Sequence, residues 1–333
     1  MNMYYLGIDV GSVSTNLVLI DERANVYKKL YIRTQGQPIH ILKEGLKLLK
    51  KDIKEDFGIA GVGATGSGRQ LASVMVGADV VKNEITAHAV AALEYRSDVR
   101  TILEIGGQDS KIIIIRNGVV YDFAMNTVCA AGTGSFLDRQ ASRLNIPIQE
   151  FGQLALKAET PVRIAGRCAV FAESDMIHKQ QTGQNIEDII NGLCEALVRN
   201  YLSNLGKGKE ILAPVIFQGG VAANVGITAA FERELGMKIT VPEYYDVMGA
   251  FGSAILARDE VKKTGTTNFY GFDLVDREYR AKSFECHDCS NMCEVVEILS
   301  DNTPVAHWGD RCGKWSNQIN KTEDYTLKAE TSA

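Results

Sequence analysis

Cys129 stands three residues ahead of Gly132 and five ahead of Gly134, in the run Asn126-Thr127-Val128-Cys129-Ala130-Ala131-Gly132-Thr133-Gly134-Ser135-Phe136. A thiolate there can serve a metal cluster, while the glycine turn that follows and opens an apolar helix can serve a phosphate. Two further stretches carry phosphate and divalent-cation chemistry: Asp9-Val10-Gly11-Ser12-Val13-Ser14-Thr15 and Glu104-Ile105-Gly106-Gly107-Gln108-Asp109-Ser110-Lys111. Each sets an acid at the end of a first strand, then glycine, then hydroxyl or amide donors. Glycine lets backbone N–H groups approach a phosphate closely, and the acid can hold Mg²⁺ through water. Alone, either reads equally well as an ordinary hairpin. Two in register, with a third glycine turn at Gln218-Gly219-Gly220-Val221-Ala222-Ala223-Asn224 ahead of a helix, favour a phosphate site over an ordinary hairpin. The pattern GxxxxGK followed by Ser or Thr is absent, and Gly63-Ala64-Thr65-Gly66-Ser67-Gly68 misses the spacing G-x-G-x-x-G, so neither P-loop nor Rossmann chemistry is the best reading.

The elements that must position these groups repeat. Tyr4 to Val10, Thr15 to Ile20 and Val26 to Arg33 have the spacing of an antiparallel meander. A helical pattern at Ile39 to Ile53, a strand near Ile59 to Gly63, a helix from Gly68, a short strand Asp79 to Val81 and a helix Glu84 to Tyr95 follow. The order restarts with Thr101 to Ile105, Lys111 to Arg116 and Val119 to Phe123, with Asn117-Gly118 as a hairpin turn. Next come a helix from Gly134, an inserted stretch Asn145 to Arg167, helices at Ala169 to His178 and Ile186 to Leu205, a strand Pro214 to Phe217, a helix from Ala222 and a closing helix Val247 to Val261. The order β-β-β-α-β-α thus occurs twice, and two such halves imply a ligand-binding cleft between them.

With 333 residues, 45% of them hydrophobic, the chain can fill two cores. No run approaches the roughly 18 apolar residues of a membrane span, and the first residues lack a signal-peptide pattern, so the expected location is cytoplasmic, with no membrane partner. A net charge of −5 without a basic cluster argues against nucleic acid. Seven cysteines in such a chain point to thiolates or metal rather than disulfides. Cys194, among Ile190, Leu193 and Leu197, reads as core packing, and His178 has no partner pattern.

These residues resemble the acetate kinase, sugar kinase, Hsp70 and actin superfamily, whose two phosphate loops look like Asp9 to Thr15 and Glu104 to Lys111 and whose adenosine loop looks like Gly219 to Asn224. More closely, residues 3 to 260 resemble the ATP-dependent activators of 2-hydroxyacyl-CoA dehydratases and the related benzoyl-CoA reductase ATPase subunits. The carriers are Gly7 to Ser12, Asn83 to Ala89, Ile105 to Lys111, Cys129 to Gly134, Gly166 to Phe171 and Gly219 to Ala222. The resemblance implies an α/β fold of two duplicated ribonuclease-H-like, actin-like ATPase domains with a nucleotide cleft between them. On this reading 1–98 with 247–263 form the first subdomain, and 99–246 form the second, which carries the cluster cysteines.

It further implies a homodimer bridged by one 4Fe–4S cluster on Cys129 and Cys168 of each chain. A cubane needs four thiolates, one chain offers two in comparable contexts, and a two-fold axis supplies the others. Each of the two precedes an expected helix, whose N-terminus would face an anionic cluster. The activity implied is ATP hydrolysis, with Mg²⁺, coupled to passing one low-potential electron from a ferredoxin or flavodoxin donor to an Fe–S partner enzyme. Asp9 and Glu104 are then the Mg²⁺-side carboxylates, and Gln108 or Asp109 orients the attacking water. Gly11, Ser12, Val13, Ser14, Thr15, Gly106, Gly107, Lys111, Gly132, Thr133, Gly134, Gly219, Gly220, Val221 and Ala222 would bind ATP or ADP. Glu84 and His88 match the family motif without a derivable role, His88 reading foremost as a packed, hydrogen-bonded side chain.

The chain departs from the short activators from Thr264 onward. Residues 264–316 form a Cys-rich extension in which Cys286, Cys289 and Cys293, with Cys312 nineteen positions later, have metal-ligand spacing, for Zn²⁺ or a second cluster. Residues 317–333 read as a flexible tail. Two competitors stay open: a small-molecule kinase, which leaves the paired cysteines unexplained, and an Hsp70-like or actin-like ATP-dependent binding module, which needs a large additional segment.

Overall fold

The computed structural model describes residues 2–52 and 57–317, so the expected tail lies outside the described residues beyond Asn317. β1 (Asn2–Val10), β2 (Ser14–Ile20) and β3 (Val26–Arg33) form the first meander, followed by α1 (Pro38–Asp52), β4 (Phe57–Thr65), α2 (Arg69–Val76), β5 (Val80–Val81) and α3 (Glu84–Tyr95). The sheet order is β3-β2-β1-β4-β5, with β1 antiparallel to β2 and parallel to β4.

The second half carries β6 (Thr101–Ile105), β7 (Ser110–Arg116), β8 (Val119–Asn126), α4 (Gly134–Leu144), α5 (Ile148–Ala155), α6 (Ala169–Gln181), α7 (Ile186–Tyr201), β9 (Val215–Gln218), α8 (Val225–Leu235) and β10 (Ile239–Thr240). Its sheet runs β10-β9-β6-β7-β8, which read backwards is the order of the first. Asn117 and Gly118 both take positive φ, the geometry a two-residue hairpin requires.

Three elements differ from the sequence expectation. The inserted stretch contains α5, whose Phe151 and Ala155 reach the core. The helix expected from Ala222 is a 3₁₀ turn at Gly220–Ala223, and α8 begins only at Val225 because the Asn224 side chain accepts from Ile227 N–H and caps it there. The α-helical hydrogen bonding of α7 ends at Tyr201 and passes into a π turn over Leu202–Gly206.

Helix α9 (Met248–Thr264) returns the chain from the second sheet to the first, where it packs on β1, β4 and α3. The approach is at backbone distance. A Cβ on Gly7 would sit 1.8 Å from the Ala250 carbonyl oxygen, and one on Gly63 2.0 Å from that of Ser253. Beyond α9, a 3₁₀ turn (Phe272–Asp276) and a three-stranded antiparallel sheet of β11 (Tyr279–Glu285), β12 (Glu294–Ser300) and β13 (Thr303–Trp308) join the core of the first half, through Leu274 and Val275 of the turn and Tyr279 and Ile298 of the sheet. Tyr279 also donates to the Met75 carbonyl at 3.2 Å.

Gly7→Ala is therefore expected to cost more than about 3 kcal/mol in chemical denaturation, because the clash is with backbone that cannot swing away. Gly36→Ala, left-handed but in open space, is expected to cost only about 1 kcal/mol.

Candidate functional site

Asp9 and Glu104 are the next-to-last residues of β1 and β6, and the turns that follow share one geometry: Gly11 N–H bonds Ser14 O at 2.9 Å and Gly106 N–H bonds Asp109 O at 3.0 Å. The two turns face each other across a cavity of ≈ 260 Å³ lined by Asp9, Gly11, Ser12, Val13, Ser14, Glu104, Gly106, Gly107, Gln108, Asp109 and Lys111, with Glu84 and His88 from α3 and Gly219 and Gly220 from the turn after β9. A second cavity of ≈ 370 Å³ continues from it along Val13, Gly106, Gly107 and Gly220 to Gly134, Ile148, Gln149, Val221 and Asn224. Thr15, Gly132, Thr133 and Ala222 stand behind this lining. Thr15 Oγ1 bonds Thr34 Oγ1 at 3.0 Å, Thr133 Oγ1 donates to Ala130 O at 2.8 Å, Gly132 lies against Asn200, and Ala222 is in the core.

The first cavity is electrostatically unbalanced. The buried Lys111 ammonium reaches Glu84 at 2.8 Å, Asp109 at 2.9 Å and Glu104 at 3.0 Å, and Asp9 lies in the same field, so four carboxylates share one cation. Loss of hydration pushes Asp9 up to about 7 and Glu104 to about 8, with neighbouring carboxylates adding to the shift and Lys111 only partly opposing it. Burial alone would lower Lys111, but the carboxylates around it outweigh that and hold it protonated. His88, pushed down to about 3 by burial and then by Lys111, is a neutral ring whose Nδ1 accepts from Gln218 Nε2 at 2.8 Å. Buried Asn16 Oδ1 in the first cavity and Asn224 Nδ2 in the second have no hydrogen-bond partner. An excess of carboxylate beside glycine turns suits a divalent cation with phosphates, and the unpaired amides suit a polar ligand, so these residues fit Mg²⁺ and a nucleotide.

Cys129 is tied to this cavity by backbone. Asn126 Oδ1 accepts from Cys129 N–H at 2.9 Å and Asn126 Nδ2 donates to Cys129 O at 2.8 Å, shaping the turn. Five residues on, Gly134 N–H bonds Gly106 O at 2.9 Å and Ser135 N–H bonds Gly107 O at 2.8 Å, fastening the start of α4 to the second glycine turn. Cys168 is the N-cap of α6, and both cysteines are partly exposed. Val128, Val170 and Phe171 around them are 94%, 68% and 66% exposed. Among the described residues no three His, Cys, Asp or Glu side chains are grouped as a metal site would hold them. Cys129 and Cys168 supply at most two thiolates from one chain, fewer than a cubane cluster takes.

In the extension, Cys286 N–H bonds Cys293 O at 2.8 Å at the end of the β11–β12 ladder, and Cys286 Sγ lies 3.3 Å from Asp288, which pairs with Lys314. Cys286 is buried, Cys293 is partly exposed, and Cys289 and Cys312 are exposed. Cys194 is buried, its thiol pushed up to about 12, as a packed side chain should be, and His178 is on the surface. Sequence reasoning missed Tyr31, Arg33 and Gln149 in the second cavity, because nothing in β3 or α5 marks which outward residue faces the other half.

Because Asp9 and Glu104 are raised above their ordinary values, the folded protein keeps protons that the unfolded chain releases, so stability falls as pH climbs toward those raised values. Thermal melts without nucleotide are expected to drop by several degrees between about pH 6.5 and about pH 8, with proton release from His88 in the unfolded chain opposing the trend only near the lower end of that range. Asp9→Asn should flatten that slope, and Mg²⁺ with ADP should oppose it.

The sequence pattern of the BadF/BadG/BcrA/BcrD ATPase family matches residues 6–257. The chain is 34% identical over 270 residues to the 2-hydroxyisocaproyl-CoA dehydratase activator of Clostridioides difficile, covering 79% of this chain and 97% of that one. It is 34% identical over 269 residues to the (R)-2-hydroxyglutaryl-CoA dehydratase activating ATPase of Acidaminococcus fermentans, covering 79% and 100%. The solved activator of the 2-hydroxyisocaproyl-CoA dehydratase from Clostridium difficile with bound ADPNP superposes with a TM-score of 0.72 at 32% identity, covering 79% of this chain and 97% of that one. With these matches and the paired sheets around one cleft, the chain belongs to the BadF/BadG/BcrA/BcrD ATPase family.

Proposed function

We propose that the protein is an ATP-dependent reductive activase that works as a homodimer, with Cys129 and Cys168 of each copy holding one 4Fe–4S cluster, and that it drives single electrons into an Fe–S partner enzyme of the dehydratase or reductase class. The observation that carries this reading is the pair of backbone bonds from Gly134 and Ser135 to the Gly106-Gly107 turn, five residues from Cys129. A nucleotide that moves the turn moves a cysteine with it. The exposed Val128, Val170 and Phe171 support a face that meets a second copy. When bound, the cluster supplies a one-electron store. ADPNP in the Clostridium difficile activator structure and the activator names of the relatives support the ATP and dehydratase parts of the reading.

Within the cleft, Asp9 and Glu104 hold Mg²⁺, directly or through water, and backbone N–H groups of the two glycine turns take the phosphates. Lys111 holds Glu84, Glu104 and Asp109 in place, which engages Asp109 and leaves Gln108, exposed on the cavity wall, to orient the attacking water. A ferredoxin or flavodoxin donor and a cytoplasmic setting complete the proposal.

Protein purified without oxygen is expected to carry four irons per dimer, with an EPR signal after reduction that changes on adding ATP. Cys129→Ser and Cys168→Ser should abolish iron while keeping ADP binding, and Gln108→Ala should lower ATP turnover about 100-fold. A colourless, iron-free protein that phosphorylates a small molecule overturns the assignment. The same measurement reads the extension: zinc below stoichiometry with only four irons removes a metal site on Cys286, Cys289, Cys293 and Cys312.

A further inference from the structure

The side chain of Asn200, at the end of α7 and 3% exposed, meets both cysteine turns at once. Its Nδ2 donates to Gly166 O at 2.6 Å, lies 3.5 Å from Arg167 O, and points at Cys129 Sγ at 3.9 Å. The amide cannot turn over without setting its oxygen against a carbonyl, and Oδ1 is already held by Asn204 Nδ2 at 3.0 Å. The surroundings are cut to fit. A Cβ on Gly132 would sit 2.8 Å from Asn200 Oδ1, and one on Gly166 would sit 2.7 Å from the Ala196 carbonyl, so both glycines let their turns lie against α7. Arg199 adds a bond to Ile164 O at 2.8 Å just ahead of the Cys168 turn. The next residue, Tyr201, donates from its hydroxyl to Lys111 O at 2.5 Å, fixing the same helix end to the strand whose ammonium organises the nucleotide cavity. The α-helical ladder gives way to the π turn immediately after these two residues, and such turns commonly mark a site where side-chain placement has displaced regular hydrogen bonding.

Resting on the activase reading, we infer that Asn200 is the positioning residue of the cysteine pair: it sets where the Cys129 turn stands relative to the Cys168 turn and supplies an N–H to the Cys129 sulfur. A hydrogen bond to a cluster thiolate stabilises the more negatively charged, reduced state and so raises the reduction potential. Removing the donor while keeping the volume moves the potential down, which a purely space-filling role does not predict.

The test is Asn200→Leu in the anaerobically purified dimer, with Asn204→Ala beside it. Asn204 is exposed, so its replacement spares folding while it removes the bond on Asn200 Oδ1 and loosens the amide that points at Cys129. The midpoint potential and the rate of iron release to a chelator are measured for each. The expected result is a more negative potential and several-fold faster iron release in Asn200→Leu, with a smaller change in the same direction in Asn204→Ala. If Asn200→Leu takes up no cluster, Asn204→Ala decides alone, and a wild-type potential and release rate in it overturn the inference. Iron-loaded variants that match wild type in both quantities overturn the role of Asn200 while leaving the activase reading intact. A wild-type protein that takes up no iron overturns that reading and this inference together.

Discussion

One ammonium organises the cleft. Lys111 on β7 is buried with Glu104 from β6, Glu84 from α3 and Asp109 from the turn between β6 and β7, and removing such a cation from among carboxylates would leave buried charge unpaired at a cost of about 3–5 kcal/mol. Each partner comes from a different element, so the ion cluster also holds the second sheet, its glycine turn and helix α3 of the first half in one relation. Crowding and burial raise Asp9 and Glu104 within that cluster, and in the proposed activase the same carboxylates would take Mg²⁺ with a nucleotide.

From that cluster two chains of contact run to the cysteines. The shorter is backbone: Gly106 and Gly107 accept from Gly134 and Ser135, and the chain leads back through the 3₁₀ turn at Ala130–Gly132 to Cys129. The longer passes from the Lys111 carbonyl to Tyr201, and from neighbouring Asn200 to the Gly166-Arg167 turn ahead of Cys168. Both use hydrogen bonds to main chain, which transmit a shift in position better than loose side-chain packing does. In the proposed activase this makes the distance between nucleotide and thiol chemistry short on both branches.

The extension packs on the first half. Its Phe272–Asp276 turn meets α1, and Leu274, Val275, Tyr279 and Ile298 share one buried core with Leu42, Leu46, Val62 and Met75. Lys43 donates to Arg277 O at 2.7 Å on the same side. The burial of Tyr279 and Ile298 gives this segment a packing role that stands whether or not its cysteines bind metal.

Much was legible in the residues. Asp9 and Glu104 followed by glycine marked the two turns and Asn117-Gly118 marked a hairpin, because turn geometry depends on a few neighbouring residues. The repeated order of strands carried the paired sheets in the same local way. The roles of Lys111, Asn200 and Tyr31 were not legible: an apolar strand with one lysine, a helix end with one asparagine and an edge strand with two tyrosines have no distinctive spacing. The sequence by itself determined where the chain turns, which strands recur and which cysteines stand beside glycines. Only the tertiary structure decided that one lysine would be shared by three carboxylates and one amide by two cysteine turns, since the Lys111–Glu84 pair and the contacts of Asn200 with those turns join residues 27 to 71 positions apart whose meeting depends on packing rather than on local propensity.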